Sequence, residues 1–575
     1  MSLEAAHEQR LAAGPREAFG AERLAVALTL AGLAAAAVLA WLSEGFYHDD
    51  DVSHFQLALE GWTSAKALLH WWARPGYNVP TMFVARAFWW AGGGDARFAM
   101  LGCRLFSAVQ TAAVAYLSYR IARRLMGATF TAAIVPALVW IQPLAMLLAI
   151  TTLTETPAAL YLTLGVWLYL RGNRVWACVA ISPAFVTRVE LLALTPILAA
   201  AVIADVLRAS GGRFLRAART PWPWACAAAL LWAPVAYVLA AAAAGLRAAD
   251  SPLAMLTQEY GTHYGSGSWL HFLQYWPQAA GLGVLVLALA GAVRLGRRGW
   301  LIWSLVYGLV ALHTVLFRFG LFETGGYARF LMPVSGLVGV LAAAGLTSVW
   351  RGRRRAPLLA VYLAAPAWVL LGAWALDRAM KINPAMLRDP AVAVAQIVLP
   401  LVVIVVLTAA AAILPVVIAA VVRLPGRRPA RLGRWGAAAM LVLNVVHVAV
   451  QVRPLRLDRS SEHYVVCRAL DHVAGSPYAG RGGLTQHTLI LYLRQNTEPL
   501  HGNEAAIRTW QRARPGTVFF WDSKYCHKPH QPDSTRRLRE ELRRLGERIF
   551  KATDRGKSVE VFVRKDDGVA TKGGR

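Results

Sequence analysis

Long apolar segments alternate with short clusters of arginine along most of this chain. The first segment is residues 24–42, and similar runs of about 20 residues recur as far as residue 452. A helix of that length crosses the hydrocarbon core of a bilayer. The 575 residues are 57% hydrophobic and only 16% charged. The pattern predicts a polytopic, all-α membrane protein and excludes a disordered chain, a coiled coil and a disulfide-rich scaffold.

The strongly basic balance of the chain, with 60 Lys and Arg against 32 Asp and Glu, invites comparison with nucleic-acid-binding proteins. The positions of the charges argue against that class. Many arginines lie in short clusters between apolar runs, as the positive-inside rule expects of cytoplasmic loops, and the rest lie mostly in the polar tail. No basic stripe carries interleaved aromatic residues. We therefore expect no nucleic-acid partner. The clusters lie at residues 120–124, 171–174, 208–219, 294–298, 351–355 and 423–434.

The positions of these clusters predict the topology. If all are cytoplasmic, each gap between neighbours holds two spans, and the total is about 13 with the N-terminus inside. The tightest gap is 175–207, where two short spans would meet near Thr187-Arg188-Val189-Glu190. One long helix there is the alternative, and it would invert everything downstream. The expected outer loops are residues 43–98, 245–274, 318–328 and 377–390, followed by an exported tail.

Two domains are expected, a membrane domain over 1–454 and a small extracytoplasmic α/β domain over 455–575. In the tail, short apolar runs bounded by turn residues predict buried strands. Cys467 and Cys526 both lie in this tail, and a disulfide between them is left open because nothing in the sequence fixes their distance. The predicted elements are helices over 462–473, 503–513 and 534–546, and strands over 485–493, 517–521, 547–552 and 558–564.

The first outer loop, residues 43–98, is too polar to span a membrane but is rich in tryptophan. Tryptophan at headgroup depth is typical of membrane interfaces. The spacing of Phe83, Ala87 and Trp90 gives one apolar helical face. We expect one or two interfacial helices here, with a turn at Arg74-Pro75-Gly76-Tyr77-Asn78; a loosely folded loop is the alternative.

Three consecutive carboxylates, Asp49, Asp50 and Asp51, follow the outer end of the first span, and His48 and His54 flank them. An acidic triplet usually marks a solvated loop. Carboxylates near an apolar interface can instead act as a general base, since burial raises their pKa. Their oxygens would also suit a divalent cation. That cation is the one cofactor considered; no residue spacing indicates a zinc site.

The acidic motif and its setting resemble the GT-C superfamily, polytopic glycosyltransferases that take a sugar from a polyprenyl-phosphate carrier. His48-Asp49-Asp50-Asp51-Val52 is similar to the family's histidine–proline–aspartate–glutamate motif and its shorter variants. The resemblance implies that Asp50 is the catalytic aspartate and Asp51 the following acidic residue. Asp49 stands where the family has proline, and it becomes the alternative base if the register shifts by one residue.

A second stretch carries the same resemblance. Thr324-Gly325-Gly326-Tyr327-Ala328-Arg329-Phe330-Leu331-Met332-Pro333 is similar to the arginine–aromatic–x–x–proline stretch of bacterial GT-C enzymes of the aminoarabinose-transferase and protein-mannosyltransferase type. An arginine at the outer interface can hold a lipid phosphate bidentately. The alternative is an interfacial arginine whose head snorkels to water. Arg329 and Tyr327 are therefore candidate substrate-binding residues.

Further polar residues in or near apolar spans are candidates for substrate binding. Glu155 opens a span, where the helix dipole also favours an acidic residue. Arg188 and Glu190 pair with each other or bind substrate, because intramembrane charges are often functional. His54 and His263 are candidate acceptor contacts. His313 and His447 lie inside apolar spans and are interpreted as core residues.

The sequence therefore predicts a membrane glycosyltransferase that moves mannose or a related sugar from a polyprenyl-phosphate donor to an acceptor hydroxyl outside the cytoplasm. Its partners would be the lipid-linked donor, membrane lipid, and a glycan, lipid or protein acceptor. Composition is typical of a GC-rich bacterium, so we expect the cytoplasmic membrane with a periplasmic tail. A transporter or flippase of lipid-linked glycans is the alternative, and a metal-dependent oligosaccharyltransferase a third.

Overall fold

A computed structural model describes most of the chain. The described residues are 15–69, 73–211, 219–246, 266–321, 326–350, 428–457, 461–494, 496–500, 502–527 and 532–565. They divide into two compact units, each described below by itself. The helical unit comprises Met1–Ala40, Leu57–Trp90 and Ala99–Arg453, and the tail unit comprises Trp41–Gln56, Ala91–Phe98 and Pro454–Arg575.

Up to residue 451, the described part of the chain is mostly helical. Among the described residues, three 3₁₀ helices each lead directly into an α-helix: Val189–Leu194, Gly296–Gly299 and Ala328–Val334. The α-helices are α1 Pro15–Trp41, α2 Asp49–Glu60, α3 Ala65–Leu69, α4 Pro75–Ala91, α5 Ala96–Met126, α6 Phe130–Ala133, α7 Val135–Trp140, α8 Pro143–Leu148, α9 Glu155–Leu170, α10 Arg174–Thr187, α11 Thr195–Ala209, α12 Pro221–Ala243, α13 His271–Ala280, α14 Leu282–Leu295, α15 Trp300–Arg318, α16 Ser335–Trp350 and α17 Arg428–Gln451.

Among the described residues, six helical stretches are long and apolar enough to cross a membrane. This agrees with a polytopic membrane protein, but the count of 13 spans is not confirmed. Two expected spans and the loop 377–390 fall within 351–427, outside the described residues. The stretches are Ala18–Trp41, Ala96–Met126, Val189–Ala209, Pro221–Ala243, Leu282–Arg318 and Ala328–Ser348.

The structure resolves the alternative at residues 175–207. Helix α10 ends at Thr187, and Arg188 has an extended backbone (φ −144°, ψ 101°). Arg174 at the start of α10 pairs with Asp205 near the end of α11 at 2.8 Å. Because the two far ends meet, the chain reverses at Arg188. The single long helix is therefore wrong, and the hairpin of two short helices is correct.

Close helix contact inside the helical unit depends on small residues. A Cβ atom at Gly291 of α14 would lie 1.7 Å from the Leu341 carbonyl oxygen, and one at Gly345 of α16 would lie 1.9 Å from the Leu287 carbonyl oxygen. Only glycine allows the two backbones to approach this closely, as small residues do between helices in membranes.

The region 43–98 contains three helices, α2 to α4, rather than one or two. The expected turn at Arg74–Asn78 is wrong, because α4 begins at Pro75 and the amides of Tyr77 and Asn78 donate to the Arg74 carbonyl. Proline is favoured in the first turn of a helix, where its missing N–H costs nothing. The predicted apolar face is present, since Phe83, Ala87 and Trp90 are exposed on α4.

The tail unit contains a five-stranded mixed sheet of order β2-β1-β3-β5-β4. Strand β1 is parallel to β2 and β3, and β5 is antiparallel to β3 and β4. Trp510, Phe519, Leu538 and Phe562 belong to its buried core. The strands are β1 Gly483–Thr485, β2 Thr497–Pro499, β3 Val518–Asp522, β4 Gly546–Asp554 and β5 Lys557–Arg564, and the helices are α18 Ser461–Ala474, α19 Thr488–Leu493, α20 Asn503–Arg512 and α21 Pro532–Leu545.

One strand prediction in the tail is wrong. Residues 485–493 were expected to form a strand, but the strand ends at Thr485 and Thr488–Leu493 is a helix. The imidazole of His487 caps that helix by accepting a hydrogen bond from the Leu489 amide at 3.2 Å. Strand β2 was not predicted. No disulfide joins Cys467 and Cys526, and Cys526 is buried with its Sγ 3.5 Å from Asp522 Oδ2.

Candidate active site

A buried group of charged side chains lies in the helical unit, where α9, the reversal at Arg188 and the 3₁₀ helix Ala328–Val334 come together. We call Glu155, Arg188, Glu190 and Arg329 the arginine–glutamate cluster. Relative exposure is 1% for Glu155, 9% for Arg188 and 5% for Arg329. The extended backbone at Arg188 ends α10 and directs its side chain away from the helical path. The cluster therefore depends on a break in the helix that the sequence predicted.

Glu155 is the shared acceptor of the arginine–glutamate cluster. Its Oε1 accepts a hydrogen bond from Arg188 Nη1 at 2.7 Å and lies 3.4 Å from Arg329 Nε. Arg188 also donates from Nε to Glu190 Oε1 at 2.6 Å. The predicted pairing of Arg188 with Glu190 is thus present but incomplete, since Arg188 bridges two carboxylates.

Aromatic rings line the same place. The Arg188 guanidinium lies 4.5 Å from the centre of the Phe330 ring, and that of Arg329 lies 5.5 Å from it. Arg329 also lies 4.9 Å from the ring of the half-buried Tyr327. Cation–π contact of this kind is strongest when water is excluded. The snorkelling interpretation of Arg329 is therefore wrong, because its head is buried among aromatic and acidic groups.

The charges of this region suit an anion. Arg74 interacts electrostatically with Glu190, so three arginines face two glutamates, and the five side chains sum to one positive charge. Glu155 Oε2 makes no hydrogen bond to any residue in the described ranges. Arginine presents a planar fork of donors that matches phosphate oxygens. The arrangement can hold a phosphate beside a buried acceptor oxygen.

The acidic motif belongs to the tail unit and forms the N-terminus of α2. The Asp50 amide donates to His48 Nδ1 at 3.4 Å, and the Tyr47 amide donates to Asp51 Oδ2 at 3.1 Å. This reciprocal pattern resembles a capping box, in which side chains bond the free amides of a helix start. Asp51 is 0% exposed, so its contacts are those of a buried capping residue.

Asp50 has a different environment from Asp51. Its carboxylate is 23% exposed and lies 3.3 Å from His48 Nδ1. A carboxylate that reaches solvent beside a histidine can accept a proton from a bound hydroxyl. The geometry therefore favours Asp50 over Asp51 as a proton acceptor. The side chain of Asp49 is outside what the structure describes.

The acidic motif packs against the C-terminal part of the tail unit, a contact that the sequence did not reveal. The Tyr492 ring meets Phe46 edge-on at 4.9 Å and Phe55 at 5.8 Å. His463 of α18 meets Phe46 at 6.2 Å and interacts electrostatically with His48 and Asp51. The residues following the last span thus build the surroundings of the predicted catalytic loop.

A second ionic group lies in the same tail unit. Glu462 Oε1 lies 3.0 Å from His487 Nε2 and 3.3 Å from Lys524 Nζ. Burial, together with the charge of Lys557, lowers the pKa of Lys524 to about 8. These residues come from α18, from the start of α19 and from the segment after β3. Their meeting could not be read from sequence spacing.

The remaining candidates have separate outcomes. His54 is buried in the tail unit, at 4% exposure, and is not displayed for a soluble acceptor. His263 falls in 247–265, outside the described residues. Among the side chains that the structure describes, no group of three or more His, Cys, Asp or Glu is arranged to hold a metal ion. The divalent cation at Asp49, Asp50 and Asp51 stays an untested hypothesis.

Comparison with solved structures identifies the fold. The chain is similar to the crystal structure of ArnT from Cupriavidus metallidurans bound to undecaprenyl phosphate, with a TM-score of 0.55, 15% identity, and coverage of 94% of this chain and 97% of that one. The apo state of the same ArnT gives a TM-score of 0.56, again with 15% identity, over 92% and 97%. No protein-family model matches the chain, and no curated protein matches it significantly.

The chain therefore shares its fold with a solved structure over nearly the whole length of both chains, as the resemblance stated above implies. That solved protein is ArnT. At 15% identity the likeness establishes the architecture and leaves activity to the side chains of this chain.

Proposed function

We propose that this protein is an integral membrane glycosyltransferase that uses a polyprenyl-phosphate-linked sugar donor. The observation that carries the proposal is the pair of buried arginines, Arg188 and Arg329, held around one carboxylate of Glu155. Undecaprenyl phosphate is bound in the ArnT crystal structure whose fold this chain shares. A lipid phosphate is the anion that such a site inside a membrane protein would meet.

The proposed reaction is one inverting displacement. Asp50 removes the proton of an acceptor hydroxyl, and the freed oxygen attacks the anomeric carbon of the donor. The bond between that carbon and the phosphate oxygen breaks as the new glycosidic bond forms. Polyprenyl phosphate leaves with the bonding electrons, and Arg188 and Arg329 stabilise its growing negative charge. Tyr327 contributes a ring over Arg329, which limits where that guanidinium can move.

The finer assignments belong to the same proposal. The donor sugar is mannose or a related hexose or pentose, and the acceptor is a hydroxyl of a lipid, glycan or protein. The protein lies in the bacterial cytoplasmic membrane with its tail in the periplasm, so transfer occurs on the outer face. The arginine clusters at residues 120–124 and 294–298 support this orientation under the positive-inside rule.

Donor cleavage and lipid movement distinguish the proposal from its rival. Purified protein in proteoliposomes would receive a panel of labelled polyprenyl-phosphate hexoses and pentoses, with membrane extract as acceptor source. A glycosyltransferase releases polyprenyl phosphate and labels an acceptor. A flippase moves the intact donor between leaflets and cleaves none of it, and that result would replace the proposal.

A further inference from the structure

His313 is a fully buried polar residue in the middle of α15. Its exposure is 0%, and neither ring nitrogen makes a hydrogen bond to any residue that the structure describes. Buried polar groups are nearly always hydrogen-bonded, and each exception calls for an explanation such as a ligand or an ordered water. The sequence alone did not indicate an unbonded imidazole here, since a histidine inside an apolar span is typical of a core residue.

The surroundings of His313 connect it to the arginine–glutamate cluster. Its ring stacks on Phe330 with centroids 5.2 Å apart and planes 25° apart. Phe330 is the same ring that Arg188 and Arg329 approach. Glu190 and Arg188 both interact electrostatically with His313. His313 is therefore one aromatic ring away from both proposed phosphate-binding arginines.

A neutral imidazole carries one donor and one acceptor nitrogen. A hydroxyl group matches this pair because it also donates and accepts. Phosphate oxygens only accept, and the arginines, which only donate, match them. In a lipid-linked sugar, the arginines therefore match the phosphate and the imidazole matches a hydroxyl of the sugar.

We infer that His313 binds a hydroxyl of the donor sugar while Arg188 and Arg329 bind its phosphate. This rests on the proposed function and deepens it, because it makes His313 a residue that recognises the sugar. Phe330 fixes the imidazole by stacking on it, and Phe272 flanks the same ring at 5.6 Å. The orphaned ring nitrogens then have partners only when glycosylated donor is bound.

The test compares two ligands that differ only in the sugar. Binding of undecaprenyl phosphate and of a panel of undecaprenyl-phosphate hexoses and pentoses would be measured for wild type, His313→Leu and His313→Gln in detergent. His447→Leu is the matched control, since His447 lies in another apolar helix, α17. Thermal unfolding of each variant would report whether it folds.

In His313→Leu we expect about a tenfold loss of affinity for the sugar-bearing ligand that binds wild type best, which is the effect of about one hydrogen bond. Affinity for undecaprenyl phosphate stays unchanged. His313→Gln, which keeps a donor and an acceptor, recovers most of the loss, and His447→Leu changes neither affinity.

Two results would overturn the assignment. If His313→Leu weakens both ligands equally, or neither, His313 is a packing residue and the proposed function is unaffected. If wild type binds none of the ligands while folded, the lipid-linked donor itself is wrong, and the role of His313 fails with it.

Discussion

Glu155 accepts a hydrogen bond at 2.7 Å from Arg188, 33 residues further along the chain. The same oxygen lies 3.4 Å from Arg329. Glu155 and Glu190 together balance the charges of the two buried arginines, and Arg74 makes the region net positive by one charge. This balance leaves the buried arginines in a region whose net charge favours an anionic ligand.

Loss of the Glu155 charge tests this balance. Glu155→Gln leaves two buried arginines with one fewer counter-charge, and breaking a buried ion pair typically costs about 3–5 kcal/mol. We expect a lower unfolding temperature and weaker donor binding. Asp205→Asn is the matched control because Asp205 pairs with Arg174 and Arg208 at a more exposed position. Equal effects from the two variants would contradict a special role for Glu155.

Arg329 is predicted to act through its planar fork of donors. Arg329→Lys keeps the positive charge but loses bidentate geometry and stacking, so the two residues are not interchangeable there. Undecaprenyl phosphate should bind Arg329→Lys at least about tenfold more weakly than wild type, as isothermal titration in detergent would show. Arg86→Lys serves as control, since Arg86 also lies over aromatic rings, Trp62 and Trp90, but outside the cluster. Full binding by Arg329→Lys would remove phosphate recognition from Arg329.

Substitutions of Asp50 and Asp51 should differ in their effect on the stability of the folded protein. Asp51→Ala removes the acceptor that caps the start of α2, and loss of a cap costs about 1 kcal/mol. Asp50→Ala leaves that cap intact because Asp51 still accepts from the Tyr47 amide. Thermal unfolding is therefore expected to shift in Asp51→Ala and to remain near wild type in Asp50→Ala. The reverse order would show that the two residues have been assigned the wrong way round.

The tail unit should lose stability in acid through His463. Burial lowers the pKa of His463 to about 4, although the Glu462 carboxylate opposes the shift. Histidine ordinarily titrates near 6.5, so below that pH the unfolded chain takes up a proton that the folded tail does not. Stability is therefore constant above about pH 6.5 and falls as the pH drops towards about 4.

Hydrogen exchange of the β3 amides between pH 7 and pH 4 would measure this loss. His463→Leu removes the titrating group, so the stability of this variant should depend less on pH across that window than the stability of wild type does. His472→Leu is the control, because His472 is exposed on the same helix and stacks on Phe550. An unchanged pH dependence in His463→Leu would assign the acid sensitivity to the carboxylates of the tail.

The sequence predicted what depends on local pattern. The break near Arg188 followed from the two spans expected between neighbouring arginine clusters. The apolar face of α4 followed from the spacing of Phe83, Ala87 and Trp90. The strand over 485–493 failed because Leu489, Ile490 and Leu491 are consecutive, and a short apolar run fits a strand and a helix equally well. The deciding signal was His487, whose side chain caps the helix.

Contacts between segments that are distant in the chain could not be predicted from the sequence. Glu190 is two residues from Arg188 and already provides a carboxylate partner for it. Nothing in the sequence therefore indicated that Glu155 is a second partner of Arg188. Arg74 was placed in a turn, and His313 was assigned to the core, because neither position has a local pattern that indicates a site. The packing of Tyr492 on Phe46 joins residues more than 400 positions apart, and no spacing rule connects them.

Turnover by Asp50→Asn tests the central claim most directly. Wild type, Asp50→Asn and the control Asp95→Asn, an exposed aspartate of the same tail unit, would receive labelled polyprenyl-phosphate donors with membrane extract. Release of free polyprenyl phosphate would be followed for each. We predict release by wild type and Asp95→Asn, and a loss of about 100-fold or more in folded Asp50→Asn that still binds donor. Wild-type rates in Asp50→Asn would contradict the account, because transfer would then need no base at that position.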